Sequence, residues 1–204
     1  MASPIKVLLG LRATERVTST ISSLPASGYI LLPGGNVWNS YRNINRQMRK
    51  PGCVLVNVEG LTDKQITELR DKAREHWVSG VFLQGSSAAH AVHLLKATNL
   101  TLGYRVSLAD ENPMNSVAET IAAGCTRLLI EPSDVEATQF LQALQAAKLA
   151  PEVFYGIRPH DEASVERELA KLPKGVHVYA DCSGLSESNI CLLMQKLKLM
   201  DKKA

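Results

Sequence analysis

Three acids and three arginines stand at or near the ends of short apolar runs in this chain. Glu59 follows the run 53–58, Glu131 the run 127–130 and Asp181 the run 176–180. Arg12 follows 5–11, Arg158 follows 153–157, and Arg105 lies one residue inside the end of 100–106. Arginine meets a carboxylate or phosphate through two parallel N–H donors, and a positioned carboxylate takes or gives a proton. Glu131, Glu59 and Asp181 are therefore the candidate catalytic residues. Arg12, Arg105 and Arg158 are the candidate substrate-binding residues, joined by Asn57, Gln84, Ser183 and Gly184 at the ends of other runs. The three carboxylates could also hold Mg²⁺, although nothing in their spacing requires a metal. The competing reading is a rim of structural ion pairs, because charges gathered without partners are costly to bury.

Two small-residue stretches could add backbone donors for a phosphate. Gly85-Ser86-Ser87 and Ser183-Gly184-Leu185-Ser186 each precede a helical pattern, and free N–H groups at a helix start attract anions. The same residues also serve as ordinary caps. Gly34-Gly35 permits either close ligand approach or a simple turn.

Other reactive side chains carry less. His90 and His93 are three apart on an outer helix with no third ligand nearby, and His76 falls on another helix. His177 opens the eighth run, while His160 follows the seventh. No lysine closes a run, which argues against Schiff-base chemistry. Cys53, Cys125, Cys182 and Cys191 form no CxxC pair and no zinc-finger spacing, so reduced, structural thiols are expected. Cys182 follows Asp181, whose charge disfavours a thiolate.

The elements that must position these residues form a repeat. Eight runs rich in Val, Ile and Leu span 5–11, 29–32, 53–58, 80–83, 100–106, 127–130, 153–157 and 176–180. They do not alternate with polar residues, as expected of strands buried on both faces. Helical periodicity lies between them. It predicts helices over 65–77 (Ile66, Leu69, Ala73 and Trp77 on one face), 117–123, 135–147, 164–172 and 189–200. Thr62 with Gln65 and Ser133 with Glu136 match the capping box, and Gly28, Gly52, Gly80, Gly124 and Gly175 precede or open strands. Strand starts recur roughly every two dozen residues, the length of a strand, a helix and two short loops. Strict alternation implies a parallel sheet, and eight units close into a compact (β/α)₈ TIM-type barrel. An open doubly wound parallel sheet is the alternative. It would show a glycine-rich turn after the first strand, and Leu9-Gly10-Leu11-Arg12 is not one. The 204 residues are expected to form one domain, 1–204. In such a barrel the site is built at the C-terminal strand ends, where the charged residues fall.

The pair Glu131-Pro132 at the end of strand six resembles the Glu-Pro of triosephosphate isomerases, and Tyr155-Gly156 on strand seven is similar to that family too. The resemblance implies Glu131 as a base. It ends there: Arg12 stands where that family carries lysine, Gln84-Gly85-Ser86 where it carries histidine, and its paired phosphate-site glycines are missing. The activity is not carried over. The length is similar to that of small phosphosugar isomerases of the phosphoribosylanthranilate type, without their motifs.

The net charge of +3 is small, but Lys6, Arg12, Arg16, Arg42, Arg46, Arg49 and Lys50 face one acid, Glu15, in the first 51 residues. The basic segment 41–50 reads as a solvated helix face, or as a contact for an acidic protein or nucleic acid; a nucleic-acid partner is not expected. No leader is evident and no run approaches a membrane span, so a cytoplasmic protein without membrane contact is expected. The function expected is a small lyase or isomerase acting on a phosphorylated or carboxylated metabolite at the C-terminal face. The alternative is a non-catalytic, ligand-sensing or regulatory barrel binding a small anion or a macromolecular partner. A third reading is an assembly role as a homo-oligomer, with Trp77 or Leu192, Leu193 and Met194 as the apolar face.

Overall fold

The computed structural model describes residues 4–12, 17–33, 37–133, 137–173 and 176–201. Continuous apolar runs become parallel strands: β1 (Val7–Arg12), β2 (Gly28–Leu32), β3 (Gly52–Asn57), β4 (Gly80–Gln84), β5 (Thr101–Val106), β6 (Arg127–Ile130), β7 (Glu152–Ile157) and β8 (His177–Asp181). Each is followed by a helix: α1 (Ser19–Ser23), α2 (Val37–Met48), α3 (Asp63–Glu75), α4 (Ala88–Leu95), α5 (Pro113–Ala123), α6 (Thr138–Ala146), α7 (Glu162–Ala170) and α8 (Glu187–Asp201). The strands pair in sequence order, and β1 returns to β8 over Val7↔Val178 to Gly10↔Asp181. The sheet is a closed (β/α)₈ barrel, which excludes the open doubly wound sheet.

Two helix expectations are corrected. α3 stops at Glu75, and Trp77 takes a left-handed φ of 59° with 83% of its surface exposed. A residue in that conformation turns the chain off the helix axis, so Trp77 does not share the buried face of Ile66, Leu69 and Ala73. Leu193 and Met194 are buried, because α8 turns them inward with Ile190 and Leu197, so they cannot form an exposed apolar face. The basic segment 41–50 falls largely on α2, which buries Tyr41, Ile44 and Met48 and exposes Arg42 and Arg46, while Arg49 is exposed just beyond its end. Lys50 Nζ donates to the Leu24 carbonyl. Thr62 and Gln65 form the expected capping box, and Asp161 with Ser164 forms another. Glu15, Arg16, Gly34, Gly35, Glu136 and Gly175 lie outside the described residues.

The core has two layers. Leu9, Tyr29, Leu31, Val54 and Val81 face the helices, while Leu8, Ile30, Cys53, Leu55, Phe82, Leu129, Phe154 and Tyr179 pack together inside the barrel. Large rings fit there because neighbouring strands present glycine. A Cβ on Gly10 would stand 2.5 Å from the Tyr179 hydroxyl, and one on Gly103 would stand 2.4 Å from Phe82 Cδ1.

Side chains alternate between faces along a strand, so residues two before the interior layer close the N-terminal end. Glu152 there accepts from Lys6 Nζ and from Arg127 Nε at 2.6 Å, with His177 Nε2 3.7 Å away. The His177 ring packs against Phe154 in a tilted arrangement, centroids 5.3 Å apart, and the Arg127 guanidinium lies 5.9 Å over the same ring. This is the stability end of a barrel. Among the described residues no helix is long and apolar enough to cross a membrane.

Candidate functional site

The same alternation builds the other end. Two residues beyond interior Gly10, Leu55, Phe82, Gly103, Leu129 and Tyr179 stand Arg12, Asn57, Gln84, Arg105, Glu131 and Asp181. Arg158 comes four after Phe154. A cavity of about 440 Å³ opens over this mouth, lined by Arg12, Arg105, Arg158, His160, Asp181 and Ser183. A second, of about 560 Å³, lies beside it, lined in part by Gln84, Tyr104, Arg105, Asp110, Ser116 and Glu131. Arg105 lines both.

Two ion pairs organise the mouth. Arg105 Nη2 meets Glu131 Oε1 at 2.7 Å, and its Nη1 donates to Gln84 Oε1 at 3.1 Å. Arg158 Nε donates to Asp181 Oδ2 at 2.8 Å, while Asp181 Oδ1 accepts the Ser183 N–H at 3.1 Å. Asp181 is 4% exposed. A carboxylate that deep needs both partners, because an unpaired buried charge is strongly unfavourable. Three guanidinium groups facing one cavity give its wall a positive potential, which suits an anion.

Glu59 is placed elsewhere. It accepts from Ser86 N–H at 2.8 Å and from Ser86 Oγ at 2.8 Å, just ahead of α4, and lines neither cavity. Gly85 has φ +113°, and a Cβ there would lie 2.9 Å from Glu59 Oε2. The Ser86 amide thus faces the protein's own carboxylate. Asn57 Oδ1 accepts the Glu59 N–H at 3.0 Å and also lies outside both cavities. In the loop after β8 the Ser183 N–H is engaged by Asp181, and Ser186 Oγ accepts the Asn189 N–H at 3.3 Å, as a cap does. Gly184 is exposed with φ +81°.

Among the described residues no three His, Cys, Asp or Glu side chains stand together as metal ligands. The carboxylate trio is dispersed, with Glu131 on Arg105, Asp181 on Arg158 and Glu59 on Ser86. His90 pairs with Asp63 at 2.8 Å on the outer surface, and the His76 ring lies 6.0 Å from that of Trp38. Burial pushes the Cys53 and Cys125 thiols up to about 11, so neither is a nucleophile at neutral pH.

The sequence reading missed Tyr179 and the second cavity's Tyr104, Asp110 and Ser116. The two-residue alternation back from Asp181 would have shown Tyr179. Tyr104 has the opposite parity to Arg105 on β5 and is reached from outside the barrel, so no strand-end argument marks it.

No family model and no curated protein matches this chain. Solved structures do match by shape. A protein from Aquifex aeolicus VF5 superposes with a TM-score of 0.63 at 8% identity, over 98% of this chain and 92% of that one. A carboxyl transferase domain of Rhizobium etli pyruvate carboxylase, solved with pyruvate, gives 0.58 at 12% identity, over 86% of this chain and 40% of that one. At such identities the likeness is one of fold, and it agrees with the closed barrel read from the strand pairing.

Proposed function

We propose that the mouth binds a small phosphorylated or carboxylated metabolite and that the barrel acts on it as an isomerase or lyase in a cytoplasmic setting. The observation that carries this reading is the cavity shared by Arg12 on β1, Arg105 on β5 and Arg158 just after β7, three guanidinium groups brought together from three parts of the barrel. Planar fork donors of this kind hold carboxylate or phosphate oxygens. Glu131 and Asp181 are the carboxylates within the same constellation, each bonded to one of the arginines. An anion that takes Arg105 Nη2 would release Glu131, so binding itself would free the base for proton transfer. The pyruvate in the Rhizobium etli barrel is a carboxylate of suitable size, an analogy of fold alone.

Titration calorimetry and thermal shift with inorganic phosphate, sugar phosphates and keto acids test the binding. An anion at 100 times its dissociation constant adds about 2.7 kcal/mol, and Arg105→Ala should abolish the shift. No shift with any of these anions refutes the reading.

The engagement of both mouth carboxylates by arginine also favours the sensing alternative, binding without chemistry. Hydrogen–deuterium exchange at carbon in the bound metabolite separates the two. Exchange lost in Glu131→Gln or Asp181→Asn marks proton transfer, and binding without exchange marks a sensor.

A further inference from the structure

Tyr179 is 1% exposed, and its hydroxyl has no hydrogen-bond partner among the described residues. The same holds for Arg105 Nε, although both Nη atoms of that guanidinium are engaged by Gln84 and Glu131. A third such atom, His76 Nδ1, sits far off at the end of α3. Buried polar atoms are nearly always partnered in folded proteins, so two orphans on the inward face of the barrel below one cavity call for a common cause.

Their places agree. Tyr179 precedes Asp181 by two on β8 and tops the interior cluster. Its hydroxyl reaches across to β1 at Gly10, which pairs with Asp181 in register and lies two residues below Arg12 on the same face. The phenol also senses the mouth charges. Burial and the Asp181 carboxylate push its pKa up, while Arg105 and Arg158 pull it down, so it stays a protonated donor at neutral pH. A ring serving only to fill space would be phenylalanine, as at the neighbouring interior positions Phe82 and Phe154.

We propose that the Tyr179 hydroxyl and the Arg105 Nε–H form the floor of the anion site and donate together to one oxygen of the bound group. The inference rests on the mouth being an anion site and narrows its ligand. Arginine Nε is a donor only, so the missing partner is an acceptor. A terminal carboxylate or phosphate must point an oxygen down past Arg12 and Arg158 towards the apolar interior.

The test is Tyr179→Phe beside Arg105→Ala, with inorganic phosphate and pyruvate as probes. Deleting an unpartnered hydroxyl should leave the ligand-free melting temperature unchanged or raised, while the dissociation constant rises roughly 10- to 100-fold, the range for a hydrogen bond to a charged group. In the parent, saturation with the anion should perturb the near-ultraviolet tyrosine absorption, and the variant should lose that change. A Tyr179→Phe protein that binds as the parent does, while Arg105→Ala does not bind, overturns the floor and leaves the mouth standing. A parent whose tyrosine absorption is unmoved by saturating anion also overturns it, whatever the variant's stability. If the parent binds neither probe, the mouth and its floor fall together.

Discussion

Gly10→Ala tests how tightly the barrel interior holds Tyr179. The added methyl carbon would lie 2.5 Å from the hydroxyl oxygen and 2.9 Å from both Cε2 and Cζ. Comfortable carbon contacts start near 3.5 Å, so the ring must retreat by on the order of 1 Å. Phe82, Leu129 and Phe154 enclose it at 1% exposure or less, and protein interiors have little slack. Overpacking of this kind costs about 1–3 kcal/mol. Alanine returns about 0.4–1 kcal/mol by restricting the unfolded chain. With a contact as short as 2.5 Å the cost falls in the upper half of that range, so the net loss is about 1–2.6 kcal/mol and lowers the melting temperature by about 2–10 °C for a chain of this size. Circular dichroism melts measure it. Gly60→Ala is the control, since φ there is +71° and nothing lies within 4 Å of the added carbon. It should lose only the left-handed backbone preference, about 1–2 kcal/mol, and nothing should be regained by adding Tyr179→Phe. Gly10→Ala with Tyr179→Phe, by contrast, should recover part of the loss, because the shortest contact is gone. A Gly10→Ala protein within about 0.5 kcal/mol of the parent, or strict additivity in the double variant, refutes the reasoning.

Other expectations follow from the outer surface and the N-terminal end. Trp77 holds a left-handed conformation with its side chain in solvent, so Trp77→Gly should raise stability by about 1 kcal/mol in urea unfolding; a loss would mean that the indole packs. Acid should destabilise the fold in two stages. Burial holds the His177 pKa below its ordinary value of 6.5 despite Glu152, so the unfolded chain takes up the proton first and stability falls as pH drops below about 6.5. Burial raises the Glu152 pKa, but Lys6 and Arg127 outweigh it and hold it below the ordinary value of 4.5. Its contribution is present above about 4.5 and is lost as pH falls further. Urea midpoints from pH 3 to 8 should lose the upper stage in His177→Gln and the lower stage in Glu152→Gln, and unchanged profiles would count against the network.

The strands were legible because burial on both faces leaves Val, Ile and Leu runs without polar interruption, and β6 (Arg127–Ile130) has the bounds of its apolar run. Helices were less so. α1 (Ser19–Ser23) is five residues with one buried side chain, Ile21, too short for any periodicity to register. α6 (Thr138–Ala146) begins later than the pattern 135–147 suggests. Trp77 was misplaced because periodicity carries no sign of where a left-handed residue ends a helix.

At the site, the gathering of Arg12, Arg105, Arg158, Glu131 and Asp181 was written in the sequence. Strand-end position and two-residue alternation are local properties, and closure of the barrel turns them into one mouth. Which charge meets which partner was not. Arg105 chose Glu131 across 26 positions, Arg158 chose Asp181 across 23, and Glu59 turned to Ser86 across 27. Glu59 and Glu131 look alike as strand-end acids; only the stagger of neighbouring strands and the course of the loops put one on a guanidinium and the other on a backbone amide. The closeness of Tyr179 to Gly10, 169 positions apart, exists only because β8 closes on β1. Hydrophobic patterning acts along the chain and determined the barrel, whereas hydrogen bonds and ring contacts need atoms within a few ångströms, and only the closed tertiary structure decided those.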